Sequence, residues 1–294
     1  MQGGTSCPRL SCRAARAALL VLFVVTACAA LQHLCFYGRN NVDRQLEGGS
    51  GAVGSESPCT ISRRPSWDAP FIVRTASERF RELTLPQRLR ETHGSVEVTL
   101  SSANTFSYER RKASVGDYFT SLLADAGLPE RWAMVDGEKV RSDSLYYWFG
   151  EHTEEWTPLL ALYDYAPLLA TLPPLLPSDS SGLFGQRKPA LSFGVGGLAS
   201  GVPFHMHGPG FSETLHGAKR WLFFPSEPPY FLPNATAAYW LHTYLPQLTN
   251  DERTGMVECV IREGEAVFFP DRWYHATINL PGPGEVAVFV STFL

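Results

Sequence analysis

Apolar and polar positions follow two different rhythms along this chain, and the change falls near residue 189. Before it, residues 76–92 carry apolar side chains at helical spacing, broken at Pro86. Residues 115–126 predict an amphipathic helix with Tyr118, Phe119, Leu122 and Leu123 on one side. Residues 95–100 alternate as a strand does, and residues 145–149 form a bulky strand ending at Gly150. The proline- and leucine-rich stretch 167–181 predicts an extended connection. After residue 189, short apolar runs recur between glycine and proline turns: 190–193, 201–207, 220–225, 256–261, 265–270, 275–280 and 286–293. A helical stretch at 237–244 interrupts them. Short strands so closely spaced predict an all-β barrel or jelly roll. Gly194-Val195-Gly196-Gly197 is not a dinucleotide fingerprint, because its spacing is wrong and it lies among strands.

The first 58 residues follow neither rhythm. Arg9, Arg13 and Arg16 precede an apolar run over 17–31 that only Thr26 interrupts. That length suits a signal-peptide core, and Ala27-Cys28-Ala29 offers a small-x-small cleavage site. Leu34-Cys35-Phe36-Tyr37 extends the run toward the roughly 20 residues of a spanning helix, so an uncleaved signal anchor is the alternative. Either way the rest of the chain is expected in the secretory pathway, in the lumen of the endoplasmic reticulum. Residues 38–58, rich in Gly, Ser, Asn and charge, predict a flexible linker. The expected organisation is therefore a leader or anchor at 1–37, a linker at 38–58, an α/β flank at 59–160 and a barrel at 161–294.

Composition narrows the function classes. The 294 residues, 44% hydrophobic and 18% charged, suit one sizeable globular domain with an N-terminal extension. A net charge of −4 without a Lys/Arg block gives no reason to expect nucleic acid, and a membrane only through an uncleaved N-terminal segment. Asn234-Ala235-Thr236 is an N-glycosylation acceptor, flanked by prolines and aromatics as a surface loop would be. Of six cysteines, Cys7, Cys12, Cys28 and Cys35 lie in or beside the leader. Cys59 and Cys259 remain, either as a disulfide in an oxidising compartment or as two buried thiols.

The candidate chemistry lies in three histidines. His205 and His207 sit two apart in Gly201-Val202-Pro203-Phe204-His205-Met206-His207; on one strand both rings would enter the same space. His275 follows a second apolar run, 68 residues after His207. Three such side chains can close a facial metal site. Iron oxygenases commonly use two histidines and one carboxylate, yet the middle position here is His207.

His205-x-His207, the turn Gly217-Ala218-Lys219-Arg220-Trp221, and Phe269-Pro270-x-x-Trp273-Tyr274-His275-x-x-x-Asn279 resemble the jumonji-C branch of the cupin superfamily. The resemblance spans about residues 77–294. It implies a mainly β, double-stranded β-helix (jelly roll) with flanking N-terminal helices and strands, holding Fe(II) and 2-oxoglutarate in its mouth. Within it, His205 and His275 match metal histidines, and His207 falls on the carboxylate position. Lys219 matches the lysine that pairs the distal 2-oxoglutarate carboxylate, and Ser291 matches another co-substrate contact. Val202 stands where many relatives carry a threonine; its missing hydroxyl removes a charge-assisted hydrogen bond of about 1.5–3 kcal/mol. The stretch 61–76 is shorter than the resemblance leads one to expect.

Two functions follow. One is a non-catalytic lumenal jumonji-C protein acting through its surface on protein partners. The other is an Fe(II)/2-oxoglutarate-dependent dioxygenase hydroxylating a lumenal protein. The centre is expected to hold Fe(II), zinc or another divalent metal, or to stand vacant with neither metal nor 2-oxoglutarate. Glu213, six residues past His207, is a replacement carboxylate or a rim residue. His216 reads as a loop residue, and Trp273 and Tyr274 as barrel packing. The missing nuclear signal and the leader argue against a histone demethylase.

Overall fold

The computed structural model describes residues 59–101, 110–122, 146–150, 153–174, 188–232, 235–280 and 286–294. The expected leader, the linker and Asn234 lie outside the described residues. Eleven strands appear among those described: β1 (Phe71–Arg74), β2 (Glu97–Ser101), β3 (Arg110–Ser114), β4 (Tyr147–Phe149), β5 (Ala190–Gly196), β6 (Gly210–His216), β7 (Ala218–Phe224), β8 (Val257–Arg262), β9 (Glu265–Phe269), β10 (Tyr274–Asn279) and β11 (Ala287–Phe293). Eight form one sheet in the order β1-β9-β6-β11-β5-β4-β2-β3, and three form a second in the order β10-β7-β8. Every pairing between these strands is antiparallel. The fold is thus mainly β, two antiparallel sheets packed as a jelly roll.

Three apolar layers hold it. Between the sheets, Ile72, Val267 and Phe269 meet Trp221, Phe223 and Ile261. Outside the larger sheet, Phe193, Phe211, Phe268 and Val288 pack with Phe80 of helix α1 (Glu78–Leu83) and Leu89 of α2 (Pro86–His93). Outside the smaller sheet, Phe204, Leu222, Phe224, Ala276 and Ile278 pack with Trp240 of the helix over Ala237–Thr243. Successive side chains of a strand therefore go to different layers, and both are dry. Val267 and Phe269 of β9 point between the sheets while Phe268 points out. Trp221 and Phe223 of β7 point in while Leu222 and Phe224 point out.

Several sequence expectations change here. Residues 201–207 are not a regular strand but a loop with one antiparallel bridge, His205 to His275. Pro203 lacks the N–H that a ladder needs, and Gly201 lies so close to Thr277 that a Cβ would meet its carbonyl oxygen. Within 167–181, the described part turns helically at Ala166–Leu169 rather than extending. In 115–126, the helix covers only Val115–Asp117 before widening into a π-type turn at Tyr118–Leu122. Strands β1, β3 and β6 were not foreseen. β6 hides its period because Ser212, Glu213 and Thr214 lie consecutively in a fully buried strand.

The short 61–76 stretch is an edge. Ile72 N–H donates to the Ser62 carbonyl (2.9 Å), and β1 pairs with β9. Just before it, Cys59 is bonded to Cys259 of β8 (S–S 2.07 Å). That link ties the start of the described chain to the smaller sheet across 200 residues of sequence.

Candidate metal centre

The loop after β5 lies antiparallel against β10 and delivers two of the three histidines. Asn279 N–H donates to the Ser200 carbonyl (2.7 Å) and Thr277 N–H to the Val202 carbonyl (2.9 Å). His205 and His275 exchange two backbone hydrogen bonds (3.1 and 2.9 Å), so their side chains project side by side. The Arg272 N–H donates to the His207 carbonyl (3.2 Å), which pins the loop end to the turn before β10. Arg272 itself sits at φ 60°, the left-handed region.

The three rings converge. Their centroids are 4.3 Å apart for His205–His275, 4.8 Å for His207–His275 and 5.1 Å for His205–His207. One ring nitrogen from each lies within 4.8 Å of the other two. Which nitrogen this is follows from the backbone. His205 Nδ1 bonds the Pro203 carbonyl (2.8 Å), His207 Nδ1 that of Gly208 (2.7 Å), and His275 Nδ1 that of Trp273 (2.9 Å). A carbonyl can only accept, so each proton is assigned to Nδ1 and each Nε2 keeps its lone pair. This is how backbone carbonyls orient and fix the tautomer of metal-ligating imidazoles.

Burial keeps the rings neutral. Desolvation, then the neighbouring His207 ring, pushes His205 down to about 4. Desolvation likewise lowers His207, and lowers His275 well below the usual imidazole value. His275 is 1% exposed, while His205 and His207 are half-buried at the cavity mouth.

The cavity beside them is lined by Val202, Lys219, Trp221, Thr277, Phe289 and Ser291 among others. The cavity opens to solvent beside the half-buried His205 and His207. Lys219 on β7 is 2% exposed, and among the described residues it has no ion-pair partner. Its Nζ lies 3.2 Å from the centroid of the Phe289 ring and 5.7 Å from that of Trp221. Ser291 lies on the same wall, its hydroxyl donating to Ser212 Oγ (3.1 Å). Thr277, which the sequence reading missed, also lines the cavity; its Oγ1 accepts from Val202 N–H (3.2 Å). Its position two residues after His275 on β10 was the available signal.

Glu213 is neither a rim residue nor a metal carboxylate. Its oxygens accept from Thr75 (2.7 Å), Ser77 (3.1 Å) and Tyr163 (2.8 Å) on the outer face of the large sheet. β6 alternates: Ser212 faces the cavity wall, so Glu213 faces away. His216 closes β6 rather than lying in a loop, with Nε2 donating to the Arg81 carbonyl (2.9 Å). Trp273 and Tyr274 pack against the inner and outer layers of the small sheet.

The donor set fits a divalent metal. Three neutral imidazole nitrogens with fixed tautomers suit zinc, and they suit iron less well without a carboxylate. Among the described residues no carboxylate joins the cluster. Two features weaken the fit to 2-oxoglutarate: Val202 offers no hydroxyl, and Phe289 lies against Lys219.

No protein-family profile matches the chain. Individual relatives do. Proteins described as JmjC domain-containing protein 8 from human and rat are 38% identical over 261 and 263 residues. Both matches cover 84% of this chain, with 88% of the human protein and 86% of the rat one. The mouse protein of that description is 35% identical over 297 residues, 96% of this chain and 98% of its own. A jelly roll carrying the histidine cluster in its mouth, together with identity of this extent, places the chain in the jumonji-C superfamily, within the family of JmjC domain-containing protein 8.

Proposed function

We propose that this chain is a metal-binding jumonji-C protein of the endoplasmic reticulum lumen that works through its surface on protein partners rather than by oxidation. The observation that carries the reading is the trio of Nε2 lone pairs with, among the described residues, no carboxylate in the cluster. A jumonji-C oxygenase needs a centre that takes Fe(II) and leaves room for the co-substrate. Here the donors are all neutral, and Phe289 covers the lysine that a co-substrate carboxylate would need. His205, His207 and His275 would hold the metal, and Lys219 would stay stacked on Phe289. The metal would supply positive charge and join the loop after β5 to β10. The oxidised Cys59–Cys259 pair, the predicted leader and the sequon support the lumenal address. The test is direct: purified protein with Fe(II), ascorbate and 2-oxoglutarate should form no succinate above a His205→Ala control. Succinate formation that His205→Ala abolishes would refute the non-oxidative reading.

One observation favours a second reading. Lys219 is buried in the same cavity as the histidines. Rotation of Phe289 off its Nζ would free a group able to pair a carboxylate, as a lumenal protein hydroxylase requires. His207→Asp separates the two readings. If only the carboxylate is missing, this variant gains iron binding and turnover; if Phe289 also keeps the lysine covered, it gains iron binding alone.

A further inference from the structure

The charges around the cluster do not balance. A divalent ion on three neutral imidazoles keeps both positive charges. The twelve residues that line the cavity include no aspartate or glutamate and one lysine. Glu213 is turned away and holds three hydrogen bonds elsewhere. A charge taken out of water without a counter-charge costs several kcal/mol, so such sites find a partner. Among the described residues none lies on this side. The cavity is bordered by the histidines and by the wall that carries Lys219. The Lys219 nitrogen donates hydrogen bonds whether or not it is protonated. His205 and His207 border the opening, and Met206 between them is 49% exposed, so the space communicates with solvent.

We propose that the centre takes up its divalent metal together with one small monovalent anion of about halide size, seated between the three imidazoles and Lys219. The anion supplies the negative charge that a carboxylate at position 207 would otherwise bring. One negative charge offsets one of the metal's two, so the site takes small inorganic anions such as chloride. This rests on the metal-binding reading above, and the test separates the two.

The full chain, stripped of metal, is loaded with Co(II), whose visible absorption reports its ligands. Chloride and azide are then titrated in separate arms. Expected are one Co(II) per chain and a saturable change of the visible bands with either anion. Two variants probe the charge argument. His207→Asp brings its own negative charge and should weaken azide binding by about tenfold or more, while still taking up Co(II). Lys219→Met should weaken it by a similar factor. If Lys219→Met does not fold by circular dichroism, the wild type and His207→Asp decide the matter alone. Co(II) uptake with a spectrum indifferent to both anions overturns the anion site and leaves the metal reading standing. Equal azide affinity in wild type and His207→Asp overturns it as well. Failure to take up Co(II) beyond a His205→Ala control overturns both.

Discussion

Lowering the pH should unfold the metal-free protein in a way that His205 controls. Its ring ordinarily titrates at 6.5, and the barrel wall and His207 push it down to about 4. The sign follows from proton counts. Below 6.5 the unfolded chain takes up a proton at this ring and the folded chain does not, so stability falls as pH falls. The loss begins near 6.5 and is complete near 4. At pH 5 the unfolded state is favoured by RT ln[(1 + 10^1.5)/(1 + 10^−1)], about 2 kcal/mol from this one ring. For a folded unit of this size that is a drop in Tm of about 4–8 °C. His207, His275 and His216 are lowered too and act in the same direction, whereas Glu213 is raised and opposes them. His205→Asn isolates the term, because its amide N–H can still donate to the Pro203 carbonyl and does not titrate. Chelator-treated wild type and His205→Asn are compared by urea unfolding at pH 7 and pH 5. The variant should lose about 2 kcal/mol less than wild type over that interval. Equal losses in the two proteins would refute the account of why this ring stays neutral.

Three further outcomes follow from the same geometry. Gly201→Ala places a Cβ against the Thr277 carbonyl and should lift the loop off β10, weakening Co(II) binding at least about tenfold in calorimetry without touching a ligand side chain. Reduction of Cys59–Cys259, or Cys259→Ser, opens a closure spanning 200 residues and should lower unfolding free energy by about 2–5 kcal/mol in denaturant titration. Tyr163→Phe removes one of three donors to Glu213 and should cost about 1–2 kcal/mol of stability while leaving Co(II) affinity unchanged.

How much of this the chain announced varies with what each residue touches. The strands after residue 189 were visible because turns separate them, but their faces were not. β7 and β9 are dry on both sides, so Phe268 and Phe269, or Trp221 and Leu222, read as continuous apolar runs without a period. β6 was missed for the opposite reason: Glu213 looks like surface, and only Thr75, Ser77 and Tyr163, between 50 and 138 residues away, make it a core residue. The loop at 201–207 imitated a strand because its register against β10 is real; Pro203 and Gly201 deny it the rest of the ladder. The histidines were legible as residue types. What spacing could not give is the set of carbonyls from Pro203, Gly208 and Trp273, since backbone acceptors leave no mark in a sequence.

Those carbonyls bear on whether the centre is idle. A barrel mouth lined by Trp221, Phe269, Phe289 and Phe293 could be closed with more apolar side chains. Instead it holds three imidazoles whose protons are turned outward and whose lone pairs face one another. Among the described residues the three rings' side-chain hydrogen bonds all run through Nδ1, so the lone pairs are left to what enters the cavity. Lys219 compounds this, its nitrogen buried on a ring face with no carboxylate in reach among the described residues. Lone pairs and lysine alike face the same cavity, where a cation can sit on the first and an anion beside the second. Local rules broken together, at one place and toward one remedy, are what a binding site does to a core. The metal-free protein should therefore gain stability on adding Co(II) and chloride together, by more than the sum of the gains from each added alone. Strictly additive shifts in Tm would mean that cation and anion do not share this cavity.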